Sequence, residues 1–97
     1  MLSVSLHELA ERELNEAAAY YAGARRGLGD AFIDEVQKAV QFVAAFPLAG
    51  VAVHRDIRWR AVRRFPYCVY YRVHIDHVRV LAVGHQKRRP FYWSGRA

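Results

Sequence analysis

Ninety-seven residues, 54% hydrophobic and 13% aromatic, make one folded domain (1–97) with a single thin core, and exclude a disordered tail. No apolar run approaches the about 18 residues of a membrane span, and Met1 to Leu9 lacks the basic start and long apolar stretch of a secretory signal. The net charge of +6 is lopsided: residues 1–50 carry four Lys/Arg against seven acids and residues 51–97 carry eleven against Asp56 and Asp76, so the second half offers a positive field to nucleic acid or to an acidic protein segment.

Leu2 to Ser5 predicts a brief strand. Ser5-Leu6-His7-Glu8 fits a capping box, with Ser5 as the helix cap and Glu8 reaching back. Glu8, Glu11 and Glu13 favour the dipole of the helix that follows, and with Glu16 they read as its solvated face. Leu6, Ala10, Leu14, Ala17, Ala18 and Tyr21 recur at helical spacing, a thin stripe that lets another element come close. Tyr20 and Tyr21 read as core and hairpin contacts. The helix should end near Gly23, and Gly27 to Asp30 should break the chain. Phe32, Val36, Ala39, Val40, Val43 and Phe46 then give a second helix its apolar face, and Pro47 stops it. Two one-sided helices with a short link predict an antiparallel hairpin that needs the second half of the chain to cover it.

Leu48 to Ile57 reads as a loop. From Arg58 the period changes to two. Arg58 to Phe65 predicts a basic strand ended by Pro66. Tyr67 to Val73 predicts a second, with Tyr67, Val69, Tyr71 and Val73 on one face and Cys68, Tyr70 and Arg72 on the other. After a turn at His74-Ile75-Asp76, Val78 to Val83 predicts a third, rich in branched residues. The short connections favour an antiparallel meander. The fold class is therefore α+β: an N-terminal helical hairpin packed on a small, mostly antiparallel sheet, in the order β-α-α-β-β-β. One sheet face should hold the hairpin and the other stay available for function. The tail, His85 to Ala97, is basic and aromatic, with Tyr92 and Trp93 expected to be partly exposed.

The usual chemistry is missing from the sequence. There is no phosphate-cradling glycine loop and no G-x-S-x-G elbow, and the basic half lacks paired carboxylates. His74-Ile75-Asp76-His77 matches no familiar zinc spacing and reads as an exposed polar turn. No cofactor and no metal are expected. Cys68, alone and in an apolar stretch, reads as a small buried filler suited to a reducing cytoplasm. His85 follows a strand end beside the basic tail, and a structural role is favoured over a catalytic one. What remains is arginine interleaved with aromatic rings, a pattern that grips phosphate by forked hydrogen bonds and stacks on flat rings.

Ala17-Ala18-Ala19-Tyr20-Tyr21 followed by Gly27-Leu28-Gly29, Phe32 and Val36 resembles the helical hairpin of RelE/ParE toxins. Arg64-Phe65-Pro66-Tyr67-Cys68-Val69-Tyr70-Tyr71-Arg72-Val73 resembles that family's central strands. Val80-Leu81-Ala82-Val83-Gly84-His85, then Arg88-Arg89-Pro90 and Tyr92-Trp93-Ser94-Gly95-Arg96, resembles its last strand and tail. The resemblance implies a toxin of a type II toxin–antitoxin system, of the sort linked to plasmid stabilisation. It also implies growth inhibition neutralised by a cognate antitoxin that wraps the toxin. The −3/+9 split and the one-sided helices predict an antitoxin segment that is acidic and apolar, crossing the hairpin and covering the basic sheet.

RelE-like members cut mRNA in the ribosome with basic side chains and a tail tyrosine, whereas ParE-like members poison DNA gyrase. Where a RelE-like nuclease has an arginine after the strand tyrosine, this chain has Cys68; Gln86 falls at the arginine after the last strand. Trp59 and Ala61 fall near that family's strand lysines, with Arg58 and Arg60 adjacent, while Tyr92 does match the tail tyrosine. Losing a charge that stabilises a phosphorane-like transition state costs about 3 kcal/mol, so the resemblance favours gyrase inhibition without enzymatic activity. A register shift of one or two residues would instead bring Arg72, Lys87 or Arg88 to the needed places, and a nuclease would then use Arg72, Arg88 and Tyr92. A basic binding module without toxicity is the third possibility. In every case the residues expected to meet the target or a nucleic acid are Arg58, Arg60, Arg64, Lys87, Arg88, Arg89, Tyr92, Trp93 and Arg96.

Overall fold

The computed structural model describes residues 1–97. The chain runs β1 (Ser3–Leu6), α1 (Glu8–Ala24), α2 (Leu28–Ala45), a 3-10 turn (Pro47–Ala49), β2 (Val51–His54), β3 (Ile57–Ala61), β4 (Tyr67–Val73) and β5 (His77–His85). The five strands form one sheet in the order β1-β5-β4-β3-β2. β2 through β5 are antiparallel neighbours, and β1 lies parallel to β5, with Ser3 opposite His77 and Leu6 opposite Val80. This is the expected α+β hairpin-on-sheet architecture, with one strand more than the sequence showed.

Four local expectations need correction. The cap of α1 is His7, whose Nδ1 accepts from the Leu9 N–H at 3.0 Å, because Ser5 is committed to the ladder opposite Arg79. α2 starts at Leu28, so the break is only Arg25 to Gly27, with Gly27 left-handed at φ 81°. Gly29 is a packing residue, since a Cβ there would lie 2.6 Å from the Ala18 carbonyl oxygen of α1. The expected loop from Leu48 to Ile57 contains β2, and the expected strand from Arg58 to Phe65 already ends at Ala61. Beyond Ala61 the chain turns, with Arg64 at φ 71°, and tucks Val62 and Phe65 into the core.

The segment before β2 is ordered from a distance. Tyr71, fully buried, donates its hydroxyl to the Pro47 carbonyl at 2.8 Å and accepts from the Gly50 N–H at 3.0 Å. Arg58 Nη1 donates to the carbonyls of Leu48 (3.2 Å) and Gly50 (2.9 Å). Tyr71→Phe should therefore leave a buried N–H and a carbonyl short of a partner, a loss of about 1–3 kcal/mol. Urea denaturation measures it; an unchanged midpoint would mean that water replaces the hydroxyl.

Between sheet and hairpin lies the main core. Phe32, Val36, Phe65, Val69, Val80 and Val83 are buried there, and Ala10, Ala17 and Ala18 supply the thin stripe of α1. The strand alternation divides as its spacing predicts. Tyr67 and Val69 join this core, Tyr71 and Val73 pack with Val43 of α2, and Tyr70 faces the other way. A bulge opposite Tyr70 and Tyr71 puts both Leu81 and Ala82 on the far face, so β5 can return Val83 to the hairpin side.

The far face is not bare. Ile57, Leu81, Ala82 and Trp93 form a small second core there, with Val53, Tyr70 and Tyr92 against it. Residues 86–97 thus fold back as a strap over the face expected to be free. Trp93 is 4% exposed, against the expectation of an open tail.

Candidate target-binding surface

The strap is held by an ion pair that the sequence did not reveal. Arg96 meets Glu13 of α1 with Nη1 at 2.8 Å from Oε1 and Nη2 at 3.2 Å from Oε2. Nη1 also donates to the Leu81 carbonyl at 3.0 Å, and Glu13 Oε1 accepts from the Val83 N–H at 3.1 Å. Both side chains are largely buried, at 12% and 14% exposure. Glu13 therefore leaves the solvated acidic face assigned to it, and Arg96 is occupied within the fold instead of facing a target.

Other predicted contacts are also engaged. Arg58 pins the turn before β2, Arg60 sits 4.0 Å over the Phe42 ring, and Arg72 pairs with Asp56 at 3.3 Å. Tyr92 is half-buried. Its buried hydroxyl rests against Gly84, where any Cβ would collide with it, on the side of the Glu13 carboxylate. Burial first, then the neighbouring Glu13 carboxylate, push its pKa far above the usual tyrosine value. Such a hydroxyl is a poor general base. Arg72 lies opposite Arg79, whereas Gly84 lies opposite Cys68 at the other end of β4. The candidate nuclease set of Arg72, Arg88 and Tyr92 is thus not assembled; of it, only Arg88 and Tyr92 touch, with the guanidinium 4.0 Å over the ring.

Four of the predicted site residues do converge. Gln86 N–H donates to the Pro66 carbonyl at 2.8 Å, which places the turn after β5 beside the turn after β3. Arg64 from one turn and Lys87, Arg88 and Arg89 from the other are exposed there, and Arg63, which sequence reasoning missed, joins them. None of these five cations is in an ion pair. Arg63 was hidden because the strand expected to run to Phe65 stops at Ala61, which leaves both Arg63 and Arg64 in the turn. Five like charges without counter-charge concentrate field at one end of the sheet.

Two shallow clefts open at this end. One, about 180 Å³, lies on the far face beneath the strap, among Trp59, Tyr70, Phe91 and Trp93, with Gln86 and Arg88 as its polar groups. The other, about 270 Å³, separates α1 from the sheet, with Glu13, Glu16 and Tyr20 facing Tyr67, His85 and Arg88. Tyr20 is 71% exposed on that rim, not a core residue as expected, while Tyr21 is a core contact.

The remaining candidates have structural roles. His85 Nδ1 accepts from the Lys87 N–H at 3.0 Å and shapes the basic turn. Cys68 is buried, and burial raises its pKa, which leaves it a poor nucleophile. His74 and His77 stack at 4.3 Å, and His77 Nδ1 meets Asp76 at 2.7 Å. No three potential ligands converge as a metal ion would require. No helix is long and apolar enough to cross a membrane.

A helical hairpin on a small sheet, with a basic and aromatic C-terminal strap, is the architecture of the RelE/ParE toxins. The chain belongs to the ParE branch: the family model for the ParE toxin of the type II toxin–antitoxin system parDE matches residues 4–90. Among solved structures, a chain of the chromosomal ParDE toxin–antitoxin system from P. aeruginosa superposes with a TM-score of 0.64 at 20% identity, covering 88% of this chain and 96% of that one. That likeness is one of fold. No curated protein matches the chain.

Proposed function

We propose that this chain is the growth-inhibiting toxin of a type II toxin–antitoxin pair, that it acts in the cytoplasm on DNA gyrase as a protein target, and that a cognate antitoxin neutralises it. The observation that carries this reading is the group of five unpaired cations on two adjacent turns, in a member of the ParE family. Binding, not cleavage, suits the site, because the Tyr92 hydroxyl is buried against Gly84 and Arg72 lies at the other end of β4. Exposed charges of this kind mainly speed and orient encounters. They also suit an antitoxin segment that is acidic where it crosses this end of the sheet.

Expression of the chain alone should arrest growth, and co-expression of the neighbouring gene's product should relieve the arrest. The purified chain should inhibit supercoiling of relaxed plasmid by gyrase and leave ribosome-bound mRNA intact. Arrest accompanied by cuts in ribosome-bound mRNA, with supercoiling normal, would move the function to the ribosome. No arrest at all would leave a binding module without toxicity.

A further inference from the structure

We infer that the aromatic cleft under the strap is a binding slot for one base of single-stranded DNA, with the five-cation ridge holding the flanking phosphates. The inference goes beyond gyrase inhibition and is tested without gyrase, so either can stand when the other falls.

The slot is small and lined largely by rings. At about 180 Å³ it is below the about 300 Å³ at which pockets for drug-sized ligands begin, and it suits a single planar ring system. Its walls are rings. Trp59 and Tyr70 are opposite neighbours on β3 and β4. The buried Trp93 packs against Tyr70 at 5.4 Å and Phe91 at 5.6 Å, so it backs the slot and the half-buried rings offer the surface on which a base would lie. Trp59 and Tyr70 are only partly buried, so their faces are not used up by the core. Aromatic faces bind bases without regard to sequence, because every base has a π-face.

The second observation is strain. Phe91 adopts φ 60°, in the left-handed region that a bulky side chain rarely enters, yet 53% of its surface is exposed. A protein has little reason to hold an aromatic ring open to water at a backbone cost unless the ring has a task. Here it forms the outer lip of the slot.

The third observation is charge. Arg88 lines the slot and belongs to the ridge, so a strand with one base inserted would have phosphates beside Arg88, Lys87 and Arg89. The same ridge carries Arg63 and Arg64 across the Gln86–Pro66 hydrogen bond. A duplex keeps its bases stacked inside and could use only the ridge. The lining beyond Gln86 and Arg88 is apolar, including Val53 and Pro90, which suits the methyl group of thymine and offers a ribose hydroxyl little.

Trp59, only partly buried, lines the slot and the buried Trp93 backs it, so quenching of the Trp59 share of the intrinsic fluorescence reports occupancy. The test titrates the full chain at low ionic strength with labelled oligothymidine of about eight nucleotides, a common single-strand site size, following anisotropy and tryptophan emission. Oligothymidine should bind and quench the Trp59 share. An abasic strand of equal length, and a duplex, should bind about tenfold more weakly without quenching. Phe91→Ala, at an exposed position, should lose about the same factor for oligothymidine and nothing for the abasic strand. Equal binding of thymidine and abasic strands, absence of quenching, or an unaffected Phe91→Ala would each overturn the slot. Tighter binding of oligouridine than oligothymidine would overturn the assignment to DNA.

Discussion

Replacing Arg96 with Ala is expected to cost about 3 kcal/mol, the usual penalty for stripping one partner from a buried ion pair, although Arg96 is the next-to-last residue. Glu13 would keep its hydrogen bond from the Val83 N–H but lose the guanidinium that neutralises it, and the Leu81 carbonyl would lose its donor. For a domain of this size that is a fall of about 15 °C in melting temperature. The strap should also loosen, so the Trp93 emission should shift to longer wavelength below the melting transition. Arg96→Lys should recover only part of the loss, because an ammonium cannot reproduce the two-pronged contact with both Glu13 oxygens. A melting temperature within about 2 °C of wild type would mean that Trp93 and its neighbours hold the strap without the ion pair.

Phe32→Ala should be at least as damaging. Phe32 is fully buried, and the rings of Tyr21, Phe65 and Tyr67 lie 5.3, 5.1 and 5.0 Å from its centroid. It joins α2 to α1, to the β3–β4 turn and to the sheet at once. Truncating a buried Phe costs about 3–5 kcal/mol, through lost burial and the cavity left behind. A single domain holds about 5–15 kcal/mol in total, so the variant should be marginal at 25 °C. Gly29 makes collapse into the cavity difficult, since the backbones of the two helices already approach closely there, leaving no room even for a Cβ. Urea unfolding measures the loss, and less than about 1 kcal/mol would show that the hairpin can slide to refill the space.

What the sequence made legible was periodicity. α2 declared itself by an apolar residue every third or fourth position, β4 by strict alternation, and Pro47 by ending α2, whereas β3 stops at Ala61 and not at Pro66. What stayed hidden depends on contacts distant in sequence. β2 is a four-residue edge strand, paired on one side only and ordered by Tyr71 and Arg58 reaching back. Glu13 and Arg96 stand 83 residues apart, so neither periodicity nor local charge could separate Glu13 from Glu8, Glu11 and Glu16. The cap moved from Ser5 to His7 because strand pairing with β5 had first claim on Ser5. Arginine counting found the basic half of the molecule but not which guanidiniums the fold keeps for itself. Arg58, Arg60, Arg72 and Arg96 are engaged and Arg88 lies over the Tyr92 ring, whereas Arg64, Lys87 and Arg89 are exposed and in no ion pair.

That division is the basis for the most direct measurement. Arg63, Lys87 and Arg89 are exposed and in no ion pair or ring contact, so replacing all three with Glu should leave the melting temperature near wild type. In a purified gyrase assay the wild-type chain should block supercoiling, and the folded triple variant should not do so at the same concentration. Undiminished inhibition by that variant, with its fold intact, would place the working surface elsewhere on the molecule.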